Sequence, residues 1–123
     1  MALVRGRGNK STEIRLALIL RKMKASGWRR HLPLPGRPDF AFLKSRIVIF
    51  VDGCFWHGCP KCYRRPKSNI SFWQRKVAQN MRRDRSVGRQ LRIDGWKVVR
   101  IWEHELGREN RVVSRLKRHL FFL

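Results

Sequence analysis

Ile47-Val48-Ile49-Phe50-Val51 is an uninterrupted run of β-branched and aromatic residues. A strand with one face in water alternates apolar and polar side chains, so a run without a polar member predicts a strand covered on both faces. Helices are the natural cover, and the flanks supply them. Ser11 or Thr12 can cap a helix over about Glu13–Ala25, with Glu13 in the first turn, where the dipole favours a negative charge. Its apolar residues spread over more than one face, which predicts a well-buried helix, and Ser26-Gly27 is the expected stop. Ser71 can cap a second helix reaching about Ile93. A third, over about Glu109–Phe121, presents Val112, Val113, Leu116, Leu120 and Phe121. Asp39–Leu43 and Trp96–Trp102 read as further strands, whereas the three prolines of Leu32–Pro38 force an extended segment. From Asp52 to Asn69 the chain is a Gly-, Cys- and Pro-rich loop without periodicity. The order αββαβα predicts an α/β fold, a small mixed β-sheet flanked by helices, in one domain over residues 1–123. Residues 1–10, basic and Gly-containing, are expected to form a flexible arm.

Charge narrows the function. The chain holds 30 Lys and Arg against eight Asp and Glu, a formal net charge of +22. Such an excess repels itself unless a polyanion absorbs it, so nucleic acid is the expected partner. The eight carboxylates are Glu13, Asp39, Asp52, Asp84, Asp94, Glu103, Glu105 and Glu109. Any hard-metal or acid–base site must draw on that short set. Leu16–Leu20 and Ile47–Val51 are the longest apolar runs, far short of the roughly 20 residues of a membrane span. With no apolar leader segment after Met1, a cytoplasmic, nucleoid-associated protein is expected.

Four constellations carry chemistry. Cys54-x4-Cys59-x2-Cys62 packs all three cysteines into one loop, and in a reducing compartment an odd number favours metal over disulfide. Zinc takes four ligands. The fourth must come from His31, His57, His104 or His119, and His104 is preferred because sheet pairing can bring the end of the third strand beside the Cys loop. Three buried free thiols are the alternative. Asp39 at the start of one strand and Asp52 at the end of the next can meet if the register is right. Two carboxylates with a backbone carbonyl suit Mg²⁺, and Glu13 can add a third. Alternatively these aspartates cap turns and pair with Arg37 or Arg46. Phe55 and Trp56, in the Gly-rich loop, and Trp73, at a helix start, suit base stacking or wedging, whereas Trp96 and Trp102 fit a core strand. Finally, Arg75, Lys76, Arg82, Arg83, Arg85, Arg89 and Arg92 make the long helix a phosphate-binding face.

Leu34-Pro-Gly-Arg-Pro-Asp39-Phe, Ile49-Phe-Val-Asp-Gly-Cys-Phe-Trp-His-Gly-Cys59, Phe72-Trp73, Asn80, Arg83-Asp84, Gly95-Trp96 and Ile101-Trp-Glu-His104 together resemble the very-short-patch-repair (Vsr-type) DNA mismatch endonucleases. The match runs in order from about Glu13 to Leu106. The resemblance implies a restriction-endonuclease-like core with a structural zinc site, and Mg²⁺-dependent nicking of one strand beside a T:G mismatch in DNA repair. It implies Asp39 and the Val51 backbone carbonyl as metal ligands, with Asp52 adding charge beside them. His57 would activate or orient the attacking water, and Glu13 would hold water at the metal. Cys54, Cys59, Cys62 and His104 fall at the zinc positions. Phe55, Trp56 and Trp73 match the wedge aromatics, with Lys76, Asn80 and Arg83 beside them on DNA. A monomer acting on mismatched duplex, alongside mismatch-repair proteins, is implied. No Lys follows the second carboxylate, unlike the restriction-enzyme pattern, so His57 or Asp52 must do its work. Two rivals remain on the sequence: a nuclease of the same core that cuts matched duplex, and a zinc-bearing DNA-binding module without catalysis.

Overall fold

The computed structural model describes residues 10–54, 57–61 and 67–120. The N-terminal arm up to residue 9, Phe55, Trp56, Cys62 and Phe121 therefore lie outside the described residues. Helix α1 (Lys10–Lys22) is followed by strands β1 (Trp28–Arg30), β2 (Phe40–Phe42) and β3 (Ile47–Asp52). Helix α2 (Ile70–Ile93), strand β4 (Lys97–Trp102), a 3₁₀ turn (Glu103–Gly107) and helix α3 (Glu109–Leu120) complete the chain.

The sheet has the order β1-β2-β3-β4, antiparallel between the first three strands and parallel between β3 and β4. A parallel pair needs a crossover, and α2 is that crossover. All six β3 residues are buried, as the apolar run requires. Its alternate side chains serve two cores. Ile47, Ile49 and Val51 pack with Leu16 and Leu20 of α1, Val99 and Ile101 of β4, and Val112 and Leu116 of α3. Val48 and Phe50 face the other way, with Ala41, Leu91 of α2 and Trp96. Thus α1 and α3 cover one face of the sheet and α2 the other.

The helix starts depart from the sequence reading. Lys10 opens α1 with Ser11 and Thr12 already inside it, and α2 is entered from Asn69 at φ 51° with Ser71 inside the helix. Two further features differ. The first helix ends at Lys22, before Ser26-Gly27, because Lys24 adopts a left-handed backbone at φ 59°. The amide of Lys24 bonds the Arg21 carbonyl and that of Ala25 bonds the Leu20 carbonyl, the paired closure that usually uses glycine. Strand β1 was not expected at all. It is a three-residue edge strand whose pairing with β2, Trp28↔Phe42 to Arg30↔Phe40, supplies its definition, so periodicity had nothing to detect. Trp28 packs edge-on against Phe40, with ring centroids 5.3 Å apart.

Glycine presses two loops onto α2. At Gly36 (φ +74°) an added Cβ would stand 2.5 Å from Val87 Cγ1. At Gly58 (φ +65°) it would stand 2.6 Å from Met81 Sδ. Only a residue without Cβ allows both the left-handed backbone and the close approach. Gly58 thereby holds its neighbour His57 against α2.

Candidate active site

The β2–β3 pairing sets Phe40 opposite Ile49, which brings Asp39, just before β2, level with the end of β3. There the Val51 amide donates to Asp39 Oδ2 at 2.7 Å, in a buried bond. Glu13 projects from α1 into the same place. Asp39 and Glu13 are 3% and 4% exposed, so two carboxylates share a desolvated corner where their charges repel unless cations compensate. Part of that compensation is visible. Arg30 Nη2 donates to Glu13 Oε1 at 2.6 Å, and His31 Nε2 lies 3.0 Å from the same oxygen. The ligating atoms of Glu13, His31 and Asp39 lie within 4.8 Å of one another. Two buried carboxylates beside a strand-end carbonyl are a hard-oxygen donor set, the kind that Mg²⁺ accepts while keeping several waters. The sequence reading missed Arg30 and His31, because they enter through the edge strand that periodicity could not show.

Asp52 is placed differently from the expectation that it joins Asp39. Successive strand residues point to opposite faces, and Asp52 is grouped with His57 and Asp84 on the α2 side, not with Glu13 and Asp39. Arg100 Nη1 donates to both Asp52 oxygens, at 3.1 and 3.0 Å. The same guanidinium lies 4.2 Å over the Phe50 ring and sends Nη2 to the Asp84 carbonyl at 3.4 Å. Burial pushes the Asp52 carboxyl above its usual range, against the opposing pull of Arg100 and then of His57. His57 is buried. Its Nδ1 meets Asp84 Oδ2 at 2.5 Å, while its Nε2 is 3.9 Å from Asp52 Oδ1. Asp84 therefore belongs to the site. Its place in the Arg83-Asp84 pair and its membership in a set of eight acids were the available signals. Four of those eight carboxylates fall in these two clusters.

The parallel register sets Asp52 opposite Trp102, so the chain leaves β3 and β4 side by side. Cys54 and His104 are thereby neighbours. Cys54 Sγ is 3.4 Å and Cys59 Sγ 3.5 Å from His104 Nδ1, and both cysteines are buried. Tetrahedral zinc, with bonds of about 2.3 Å to sulfur and about 2.0 Å to nitrogen, separates such ligands by about 3.5 Å. The two thiols and the imidazole fit that ion. Cys54 is further fixed by Glu103, whose Oε1 accepts its amide at 3.3 Å.

Among the residues expected on DNA, Trp73 is half-buried and packs edge-on against Phe72, itself 51% exposed. Lys76 and Arg83 are exposed. Asn80 is buried instead, 3% exposed, and its Oδ1 accepts from Arg83 Nη2 at 2.9 Å. It stands behind Arg83 and does not reach the surface itself. Trp102, read as a core residue, is half-buried at the edge of the His57 cluster. Trp96 is buried as expected.

Residues 1–64 match the family described as DNA mismatch endonuclease Vsr. The DNA mismatch endonuclease Vsr of Escherichia coli (strain K12) is 41% identical over 100 residues, covering 79% of this chain and 64% of that protein. The type II nicking enzyme V.NaeI of Lentzea aerocolonigenes is 45% identical over 69 residues, covering 56% of this chain and 42% of that enzyme. The chain thus spans less than two thirds of the length of these relatives. A solved homing endonuclease, the I-Bth0305I catalytic domain, superposes with a TM-score of 0.53 over 88% of this chain and 91% of its own, at 20% identity. That likeness speaks for the fold.

Proposed function

The chain belongs to the DNA mismatch endonuclease Vsr family, and from that premise we propose that it nicks one strand of duplex DNA beside a T:G mismatch. The reading adds a divalent cation, Mg²⁺, at the Asp39 corner and a structural zinc at Cys54, Cys59, Cys62 and His104. It takes the enzyme to act as a monomer in mismatch repair. The observation that carries it is the division of labour at the end of β3. One buried carboxylate pair, Glu13 and Asp39, faces the α1 side, and a His57–Asp84 pair faces the α2 side.

The cation, held by Asp39 and Glu13 with the Val51 carbonyl, would supply charge stabilisation at the scissile phosphate. The rest falls to side chains. Asp84 accepts from His57 Nδ1, which selects the tautomer with its basic lone pair at Nε2 and stabilises the imidazolium once formed. His57 Nε2 then takes the proton of the attacking water. Asp52, clamped through both oxygens by Arg100, is poorly suited to be that base. It counterbalances Arg100 instead. Trp73, Lys76 and Arg83 would face the duplex, together with Phe55 and Trp56. A wobble pair is already weakened, so parting it from its neighbours costs less than parting a matched pair.

The test is a panel of duplexes of one sequence, carrying T:G or T:A at one position, incubated with Mg²⁺ and mapped for nicks. A single nick beside T:G and none in the matched duplex is expected. Equal cutting of both would move the reading to a matched-duplex nuclease, and tight binding without any nick would leave a DNA-binding module. Asp84→Asn keeps the size of the His57 partner and removes its charge. It should lower the nicking rate at saturating DNA by about 10²–10⁴-fold with little change in duplex affinity. An unchanged rate would remove His57–Asp84 from the chemistry.

A further inference from the structure

An open cavity of about 470 Å³ lies between α2 and the ends of β3 and β4, with His57, Asp52 and Arg100 on one side. Its other side is one face of α2, carrying Arg85, Arg89 and Arg92. These stand at i, i+4 and i+7, so they form one stripe. All three are exposed, and none makes an ion pair or side-chain hydrogen bond to a described residue. The cavity's two acids are already committed, Asp52 to Arg100 and Asp84 to His57.

Two features of this face work against the helix itself. Arginines at this spacing repel one another, and Gly88 places the poorest non-proline helix former inside a 24-residue helix, five residues before its end. Gly88 is buried, and a Cβ there would stand 3.2 Å from Arg92 Nη1. The missing side chain lets the Arg92 guanidinium lie back along the helix, where it lines the cavity. An anion among the three guanidinium groups would relieve the repulsion and use the space.

We propose that this cavity is a phosphate site, filled by the phosphate group of a nucleic acid and gripped by Arg85, Arg89 and Arg92, with His57 at its rim. Guanidinium groups suit phosphate oxygens because their N–H donors come in a planar fork. The anion chemistry stands on these side chains alone. Its link to DNA rests on the nuclease reading, in which the occupant is either a backbone phosphodiester near the one cut or the terminal phosphate at a nick.

Inorganic phosphate should raise the Tm of the full chain relative to chloride at equal ionic strength. Arg89→Ala/Arg92→Ala should abolish that rise. So should Gly88→Leu, which keeps every charge, favours the helix and fills the cavity; a diffuse positive field would leave its response intact. On duplex DNA, the double variant should make the dependence of log affinity on log salt shallower by about 1.8, or about 0.9 per lost contact. Loss of affinity confined to nicked duplex with a 5′-phosphate, compared with a 5′-hydroxyl, assigns the terminal group. Equal loss on both assigns the backbone diester. An unchanged phosphate response together with an unchanged salt slope overturns the proposal. Phosphate binding that vanishes in these variants, in a protein that nicks no duplex, would keep the site and remove the nuclease reading.

Discussion

Asp39→Asn should abolish nicking, lowering the rate at least about 10³-fold, while leaving the fold intact. The magnitude follows from the charge removed. A metal at a phosphoryl oxygen is worth several kcal/mol, and about 4 kcal/mol corresponds to 10³ in rate. Asp39 is a buried carboxylate whose charge is the reason a cation would stay in this reading. The fold should survive because Asn retains a side-chain oxygen of the same reach, which can still accept the Val51 amide. Glu13 and Asp39 also repel each other across the corner, so in metal-free buffer the variant should melt at or above the parent temperature. The decisive comparison is melting with and without Mg²⁺ or Mn²⁺, beside single-turnover nicking. The parent should gain stability from the cation and the variant should not. Full nicking by Asp39→Asn would place the metal site elsewhere, and a metal response equal to the parent's would do the same.

Legibility in the sequence followed the range of the interaction. Ile47–Val51 declared a strand covered on both faces because burial writes itself into composition, and β3 is buried at every position. The parallel pairing that brings His104 to Cys54 was also foreseeable, since a strand, a helix and a second strand admit little else. Arg30 and His31 were not. Arg30 ends an edge strand three residues long, which exists only because β2 pairs with it, and His31 follows directly with a left-handed backbone at φ 56°. Asp52 was expected to meet Asp39, and its carboxylate is instead grouped with His57 and Asp84. Spacing along the chain put it near Asp39, but strand alternation turned it towards Arg100 and His57. Asp84 is 27 residues from His57 in sequence and meets it through the packing of the Gly58 loop on α2. No local pattern encodes that contact. The scarcity of acids does point to it, because in a chain with net charge +22 a carboxylate kept in the middle of a basic helix calls for a partner.

The zinc reading predicts that Cys59→Ser loses the metal and, with it, the catalytic loop. The described residues of the loop between β3 and α2 are otherwise held by the Cys54 amide on Glu103, by Gly58 against α2 and by His57 on Asp84. Among its described residues, the backbone bonds are from His57 to Gly53 and from Cys59 to Cys54. His57 sits between the two cysteines, so whatever fixes Cys54 and Cys59 also fixes the imidazole against Asp84. Structural zinc sites contribute apparent binding free energies of about 10–16 kcal/mol, comparable with the whole stability of a domain, about 5–15 kcal/mol. Even about 3 kcal/mol of that lost would lower Tm by more than about 10 °C. A buried free thiol predicts something milder, since Ser is nearly the same size and the cost would be about 1–3 kcal/mol for a hydroxyl without a partner. Metal content separates the two. The parent should carry one zinc per chain and lose both zinc and nicking on chelation, while Cys59→Ser should carry none and nick as poorly as a variant lacking His57. A parent that purifies without zinc, or a Ser variant that keeps it, would return Cys54, Cys59 and His104 to the status of packed side chains. The sheet should outlast the loop in either case, because Leu16, Ile49, Ile101 and Leu116 form a core that includes no described residue between the cysteines.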